Sequence, residues 1–340
     1  MSAFYQLTPH QQSDILKQLA AKALRHWQLN TNHIELVKYR ENAVFKVTMD
    51  NGQRFALRIH RPGYHSKAAL RSELQWMDAL NTSGVLVPEV VPTYDGRLLI
   101  SEQIEAVPEP RQIDLFAWIE GHPLGSVEQG LGTDTARIAD IYHAIGQTAA
   151  CLHNQSSDWQ PPDGFERHAW DYEGLVGEHP FWGRFWELEL LSAEHQALLI
   201  AARDKVRSGL KALDKSPQRY SLIHADFVPE NLMTDGDTVR LIDFDDAGFG
   251  WHLFELATAL FFIQEEESYP VAKQALIDGY RSERALPDSE LAYLELFLAS
   301  RSFTYLGWIR SRQETETAQE LAPELIRLAC KQAERFLTRA

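Results

Sequence analysis

The stretch from His224 to Met233, HADFVPENLM, followed at Leu241 by LIDFDD, constrains this chain more than any other part of it. A short apolar strand, Tyr220 to Ile223, leads His224 and Asp226 into a loop, and Asn231 leaves that loop five residues after Asp226. A second apolar strand, Val239 to Ile242, ends on Asp243. Leu232–Met233 and Val239–Ile242 read as a hairpin closed at Gly236, which brings Asn231 and Asp243 close together. One amide oxygen and one carboxylate are hard donors suited to Mg²⁺, whose remaining positions phosphates and water can fill. Asp226 stands apart from that pair and can orient or deprotonate an attacking hydroxyl. A lone Asp-x-x-x-x-Asn is commonly turn or capping chemistry. A further acid at the end of a buried strand is rarely there for packing, and it tips the reading toward a site.

Composition narrows the classes around that loop. The chain has 340 residues, 44% hydrophobic and 24% charged, a globular composition long enough for two lobes. Its 33 Lys and Arg against 48 Asp and Glu give a net charge of −15. Such a surface repels phosphate backbones, so nucleic-acid and anionic-membrane partners are not expected, although a local basic pocket remains open. Cys151 and Cys330 form neither a disulfide framework nor a zinc pattern and fit a reducing cytosol. The opening residues lack the basic and apolar regions of a signal peptide. The run Leu256 to Ile263 is too short to span a bilayer. The expected location is therefore cytoplasmic.

Periodicity predicts a helix over Ser13 to Trp27, then strands at Ile34–Tyr39, Val44–Met49 and Phe55–His60. Asp50-Asn51-Gly52 joins the second and third strands, with positive φ expected at both Asn51 and Gly52. Ser66 caps a helix to about Leu80. Val90–Tyr94 and Arg97–Ser101 read as two more strands, and Ile113 to Ile119 as another apolar run. Beyond Gly121 the pattern turns helical: from Thr133 or Asp134 through Leu152, then 193–213, 253–266, 270–281, 288–306 and 315–338. The fold class is α+β and bilobal. A small five-stranded antiparallel lobe spans residues 1–115, a hinge 116–121, and a larger, mostly helical lobe 122–340. A cleft between lobes is the default ligand site.

The pattern HxDxxxxN followed by IDFxx resembles the protein-kinase-like phosphotransferases, the aminoglycoside phosphotransferase and choline kinase superfamily. The order of β-rich lobe, hinge and helical lobe extends the likeness over nearly the whole chain. ENAVFKV, ALRIHRPG, WIEGHPL and PFWGRFW make it most similar to the stress-response kinase and type II homoserine kinase-like branch. The resemblance implies that Asp226 accepts the proton of a substrate hydroxyl, that Asn231 and Asp243 hold magnesium, and that His224 braces the loop. It implies ATP in the first lobe, with Arg58 at the basic position of the third strand pairing the phosphates and held by Glu73. Arg58 departs from the usual Lys. Leu57 and Ile59 straddle it, so it faces either cleft or solvent; for Glu73 the alternative is a solvated helix residue. His60 and Arg61 are expected to be exposed. The loop Lys38 to Ala43 contains no glycine, so neither a Walker A nor a protein-kinase glycine loop applies. The resemblance still sets backbone amides near Glu41 and Asn42 over the phosphates; a plain hairpin tip is the alternative. Phe116, Ala117 and Trp118 offer an apolar wall and main-chain donors and acceptors to adenine.

Trp170, Trp182, Trp186 and Trp251 can cage a cationic acceptor or simply fill a core. Glu255 is read as structural, Asp246 as a cap, and Asp245 as a second metal ligand, a contact to a substrate cation or another cap. The resemblance, together with these residues, implies an ATP- and Mg²⁺-dependent kinase whose expected acceptor is the hydroxyl of a small molecule. A Ser/Thr protein kinase is an alternative, although the eleven residues between Asp243 and Glu255 leave little room for an activation loop. A non-catalytic nucleotide sensor is a second alternative. A metal-dependent hydrolase is a weaker one, since the cluster contains a single His.

Overall fold

The computed structural model describes residues 3–39, 42–125, 132–235 and 238–338. It divides into two compact units. One comprises Met1–Gly121 with Pro161–Glu166, the other His122–Gln160 with Arg167–Ala340.

In the first unit, helix α1 (Pro9–Ala23) opens on a capping box: Gln11 N–H donates to Thr8 Oγ1 at 3.3 Å, and Thr8 N–H to Gln11 Oε1 at 3.0 Å. Strands β1 (His33–Tyr39), β2 (Ala43–Thr48), β3 (Arg54–Ile59), β4 (Ile100–Glu102) and β5 (Arg111–Ala117) form an antiparallel sheet in the order β1-β2-β3-β5-β4. Along β2 the alternation Ala43, Phe45, Val47 puts every second side chain in the core. Helix α2 (Lys67–Thr82) starts at Ser66, whose Oγ accepts from Ala69 N–H at 3.0 Å, and buries Leu70, Leu74, Met77 and Leu80.

Five strands are present, but their membership differs from the sequence expectation. Val90 makes only a single bridge, to Phe116, and Val90–Tyr94 is not a strand. Pro92 has no N–H for a ladder, and Thr93 N–H closes a tight turn on Arg97 O at 2.8 Å with Gly96 at φ +81°. Of Arg97–Ser101, only Ile100 and Ser101 join a strand, β4. The fifth strand is β5, which continues to Ala117 and so overlaps the expected hinge. Asn51 does not take positive φ; Gly52 alone does, at +83°. The Asn51 side chain instead accepts from Gln53 N–H at 3.0 Å, a local turn that competes with the left-handed conformation. Residues 161–166, expected with the helical part, return to the first unit. There Glu166 N–H donates to Ser72 Oγ at 2.8 Å.

The second unit contains β6 (His122–Pro123), α3 (Thr135–Asp158), β7 (Ala169–Trp170), α4 (Tyr172–Val176), α5 (Ala193–Ala212), β8 (Tyr220–Ile223), β9 (Leu232–Asp235) and β10 (Thr238–Leu241). It continues through β11 (Gly248–Trp251), α6 (His252–Phe261), α7 (Tyr269–Glu283), α8 (Asp288–Leu291), α9 (Leu294–Arg310) and α10 (Glu316–Thr338). Two small sheets, β10-β9-β6 and β7-β11-β8, sit among the helices. The single helix expected over 288–306 is two, interrupted at Ala292 and Tyr293. Trp170, Trp182, Trp186 and Trp251 are all buried core residues. Among the described residues no helix is long and apolar enough to cross a membrane.

α3 and α7 pack backbone to backbone. A Cβ on Gly146 would collide with Leu276 O and lie 2.8 Å from Tyr280 N, and one on Gly279 would collide with His143 O. Backbone cannot swing aside as a side-chain tip can. Gly146→Ala is therefore expected to destabilise the protein by about 1–3 kcal/mol through overpacking, seen as a lower melting temperature. An unchanged melting temperature would refute the close approach.

Candidate active site

The loop from His224 to Asn231 is held from two sides. Glu255, fully buried on α6, accepts from His224 N–H with Oε1 and from Ala225 N–H with Oε2, each at 2.7 Å. Burial pushes its carboxyl pKa up, while the two N–H donors and the Arg301 guanidinium oppose that shift. Ala225, between these contacts and Asp226, has φ +63°, a strained conformation for a residue with a Cβ. On the other side, His224 Nε2 donates to Ile242 O at 2.9 Å, and Asp226 N–H donates to His224 Nδ1 at 3.2 Å. These two contacts set the His224 tautomer. His224 thus has the bracing geometry that the resemblance implies.

Asn231 Nδ2 donates to Asp226 Oδ2 at 2.7 Å and to Asp226 O at 2.9 Å. Using its nitrogen this way turns the amide oxygen the other way. Ile242 N–H donates to Asn231 O at 2.8 Å, and Leu232 faces Leu241 in the β9–β10 ladder. Asp243 therefore follows directly on a residue bonded to Asn231, and its own φ is +66°. The turn of that hairpin, Gly236 included, lies outside the described residues. Asp226, Asn231 and Asp243 are thus brought into one loop system of the second unit. Asn231 is buried, and the Asp226 side chain is 29% exposed.

Arg167 fixes the segment after Asp243. Its Nε donates to Ala247 O at 2.5 Å, and its Nη2 to Asp245 O at 2.6 Å and Phe244 O at 3.3 Å. Asp245 is buried, and Asp246 O accepts from Trp170 Nε1 at 2.8 Å.

In the first unit the Arg58–Glu73 pair forms, with Nη2 donating to Glu73 Oε1 at 2.7 Å. Glu73 is no solvated helix residue: its side chain is fully buried. Arg58 is buried as well, held by an acid absent from the sequence-derived set. Nε donates to Asp114 Oδ1 at 3.1 Å and Nη2 to Asp114 Oδ2 at 2.8 Å. His60, expected at the surface, is buried, and its Nε2 lies 2.8 Å from Asp114 Oδ2. Burial alone would raise the Asp114 carboxyl pKa, but Arg58 and His60 hold it well below the usual carboxylate range. Glu41 lies outside the described residues. Asn42 Oδ1 accepts from Arg61 N–H at 2.9 Å. Phe116 lies under Arg58, whose guanidinium carbon is 5.0 Å from the ring centre, and the Lys46 ammonium is 5.1 Å from the Trp118 ring. The N–H groups of Ala117 and Trp118, expected to serve a base edge, are taken by Glu89 O at 2.9 Å and Arg54 O at 3.2 Å.

Sequence reasoning missed Asp114, His60, Arg167 and Arg301, the last a fully buried cation on α9 next to Asp226. Asp114, between Ile113 and Leu115, and Arg301, on the mostly apolar α9, are charges in apolar surroundings, but nothing local in the sequence names their partners. Arg167 carried no signal at all.

Removing one member of a buried ion pair costs about 3–5 kcal/mol, so Asp114→Asn should destabilise the first unit strongly at pH 7. The folded-state pKa of Asp114 is depressed. Its contribution is therefore present above the ordinary Asp range and lost as pH falls through and below about 4. The gap in melting temperature between the natural protein and Asp114→Asn is expected to narrow as pH falls from 5 toward 2. A pH-independent gap would refute the assigned pairing.

Residues 34–288 match the APH phosphotransferase enzyme family. The structure of a microcompartment-associated aminopropanol kinase is 34% identical, over 94% of this chain and 97% of that one, with a TM-score of 0.82. Amicoumacin kinase of Bacillus subtilis (strain 168) is 22% identical over 321 residues, 91% of this chain and 89% of its own. The structure of amicoumacin kinase hAmiN in complex with AMP-PNP, Ca²⁺ and Ami shares the fold at 19% identity and a TM-score of 0.76, over 94% of this chain and 93% of that one. This chain belongs to the APH phosphotransferase enzyme family and is a kinase.

Proposed function

We propose that the protein transfers the γ-phosphoryl group of ATP to the hydroxyl of a small amino alcohol, with Mg²⁺ at Asn231 and Asp243. The observation that carries this reading is the geometry of Asp226, whose Oδ2 is engaged by Asn231 while the loop beneath it is pinned by Glu255. The aminopropanol kinase, at 34% identity over nearly the whole chain, supports an amino alcohol as acceptor. The relative in complex with AMP-PNP and Ca²⁺ supports a nucleoside triphosphate and a divalent ion.

The donor set fits Mg²⁺. It offers an amide oxygen and a carboxylate, both hard, and among the described residues no three His, Cys, Asp or Glu side chains gather into a metal cage. Phosphate oxygens and water would complete the shell, as is usual for this ion. When bound, the ion would supply positive charge that offsets the charge of the transferred phosphate. In this reading Asp226 Oδ1 receives the hydroxyl proton as the acceptor oxygen bonds to the γ-phosphorus. The bond from that phosphorus to the bridging oxygen breaks, and ADP leaves with the electron pair. His224 and Glu255 keep Asp226 in place through the backbone. In the first unit, Arg58, fixed by Glu73 and Asp114, would bring its charge to the α- and β-phosphates, beside Asn42, Phe116 and Trp118.

Labelled ATP incubated with 1-amino-2-propanol, ethanolamine, choline, homoserine and an aminoglycoside should label at least one of them. Asp226→Asn is expected to lower turnover about 10²–10⁴-fold. Wild-type turnover in that variant would end this reading. EDTA should abolish transfer and added Mg²⁺ restore it; transfer that survives EDTA would remove the metal from the proposal. Label on protein Ser or Thr instead would favour a protein kinase. ATP-dependent thermal stabilisation without any transfer would favour a sensor.

A further inference from the structure

Helix α9 is buried along most of its length, and in its middle, between Ser300 and Ser302, stands Arg301 with 0% exposure. Burying a guanidinium is costly unless its charge and its donors are met. Aromatic faces meet much of that charge. The guanidinium carbon lies 4.3 Å from the ring centre of Tyr305, 5.2 Å from Trp182 and 5.5 Å from Phe254. Nη2 donates to Tyr305 Oη at 2.9 Å, while Nε and Nη1 are enclosed with no hydrogen-bond partner among the described residues. Among the described residues, the carboxylate within ion-pair distance of this cation is that of Asp226, with Oδ1 at 3.4 Å from Nη2. The aromatic cage anticipated for a cationic acceptor, as far as Trp182 is concerned, is filled by the chain's own cation.

Breaking a pair that is buried on both sides is costly, but Asp226 is 29% exposed and keeps water when its partner is lost, so Met at 301 is expected to cost the fold little. Fold stability is therefore a weak reason for a guanidinium at 301. Its position is a stronger one. Asn231 holds Asp226 Oδ2 from one side, and Arg301 stands against Oδ1 on the other.

We infer that Arg301 is a positioning residue for Asp226, fixing the plane of its carboxylate so that Oδ1 meets the acceptor hydroxyl in one orientation. This rests on the kinase reading above and deepens it. In this role Arg301 acts through Asp226.

The test compares Arg301→Met and Arg301→Lys, with ATP and 1-amino-2-propanol as probes, or ATP hydrolysis by water where that alcohol is not turned over. Misplacing a reacting group by about 1 Å can cost about 10²-fold in rate. Arg301→Met is expected to lower kcat by about that factor, with KM for ATP within about twofold of the natural value and an unchanged melting temperature. Arg301→Lys keeps a charge without the planar fork and should recover part of kcat. In single turnover, the residual rate of Asp226→Asn should not depend on whether residue 301 is Arg or Met. Unchanged kcat in Arg301→Met, or a parallel fall in melting temperature and ATP binding, overturns the inference. So does the same fractional loss with and without Asp226. Should the Met variant not fold, Arg301→Lys decides alone: undiminished kcat overturns the inference, and a selective fall in kcat supports it. Failure of the kinase reading would appear separately, as full turnover in Asp226→Asn.

Discussion

Both oxygens of one buried carboxylate, Glu255, are taken by the successive backbone N–H groups of His224 and Ala225, and the geometry of the loop follows from that. Ala225 sits at φ +63°, a conformation that costs about 1–3 kcal/mol for a residue with a Cβ. It persists because Glu255 leaves the chain no other way to satisfy two buried donors. The opposite device operates on the neighbouring segment. After Asp243, itself at φ +66°, three main-chain carbonyls converge on the Arg167 guanidinium. An anion collects N–H groups on one strained loop and a cation collects C=O groups next to the other. In both cases an off-region backbone is stabilised by a charged side chain from a distant part of the chain.

Two bonds to the main chain of Ile242 then couple these two devices. Ile242 N–H donates to Asn231 O, and Ile242 O accepts from His224. Asp226 and Asp243 are therefore not independent side chains that happen to lie near one another. A shift of one loop must move the other through Ile242. This is the pre-organisation expected where catalysis depends on positioning more than on covalent chemistry.

How much of this was legible in the sequence depends on how local each interaction is. His224, Asp226 and Asn231 lie within eight residues of one another, and a hairpin delivers Asp243 to them, so pattern alone assembled the loop. Glu73 was reachable because the resemblance supplies a helix acid as partner to the basic residue of the third strand, Arg58. Asp114 was not. It faces Arg58 from β5, and its neighbours Ile113 and Leu115 make the run read as packing. The same local blindness placed strands at Val90–Tyr94, where β propensity was high but Pro92 denies the ladder a donor. Arg301 and Arg167 act across 75 and 78 residues respectively, and no periodicity reports such distances.

The Arg at position 58, where kinase-like folds carry Lys, can be read as erosion of the nucleotide site. The contacts of Arg58 show what the substitution does locally. A Lys ammonium is a compact point charge, whereas the fork of Arg58 meets two carboxylates at once, Glu73 through Nη2 and Asp114 through Nε and Nη2. Asp114, buried and held ionised by Arg58 and His60, would be an uncompensated interior acid beside a shorter reach. Arg58 and Asp114 therefore make sense only together. Loss of the usual Lys by itself would have left Glu73 without a partner. Here the longer base, a second acid and a histidine form a mutually satisfied set.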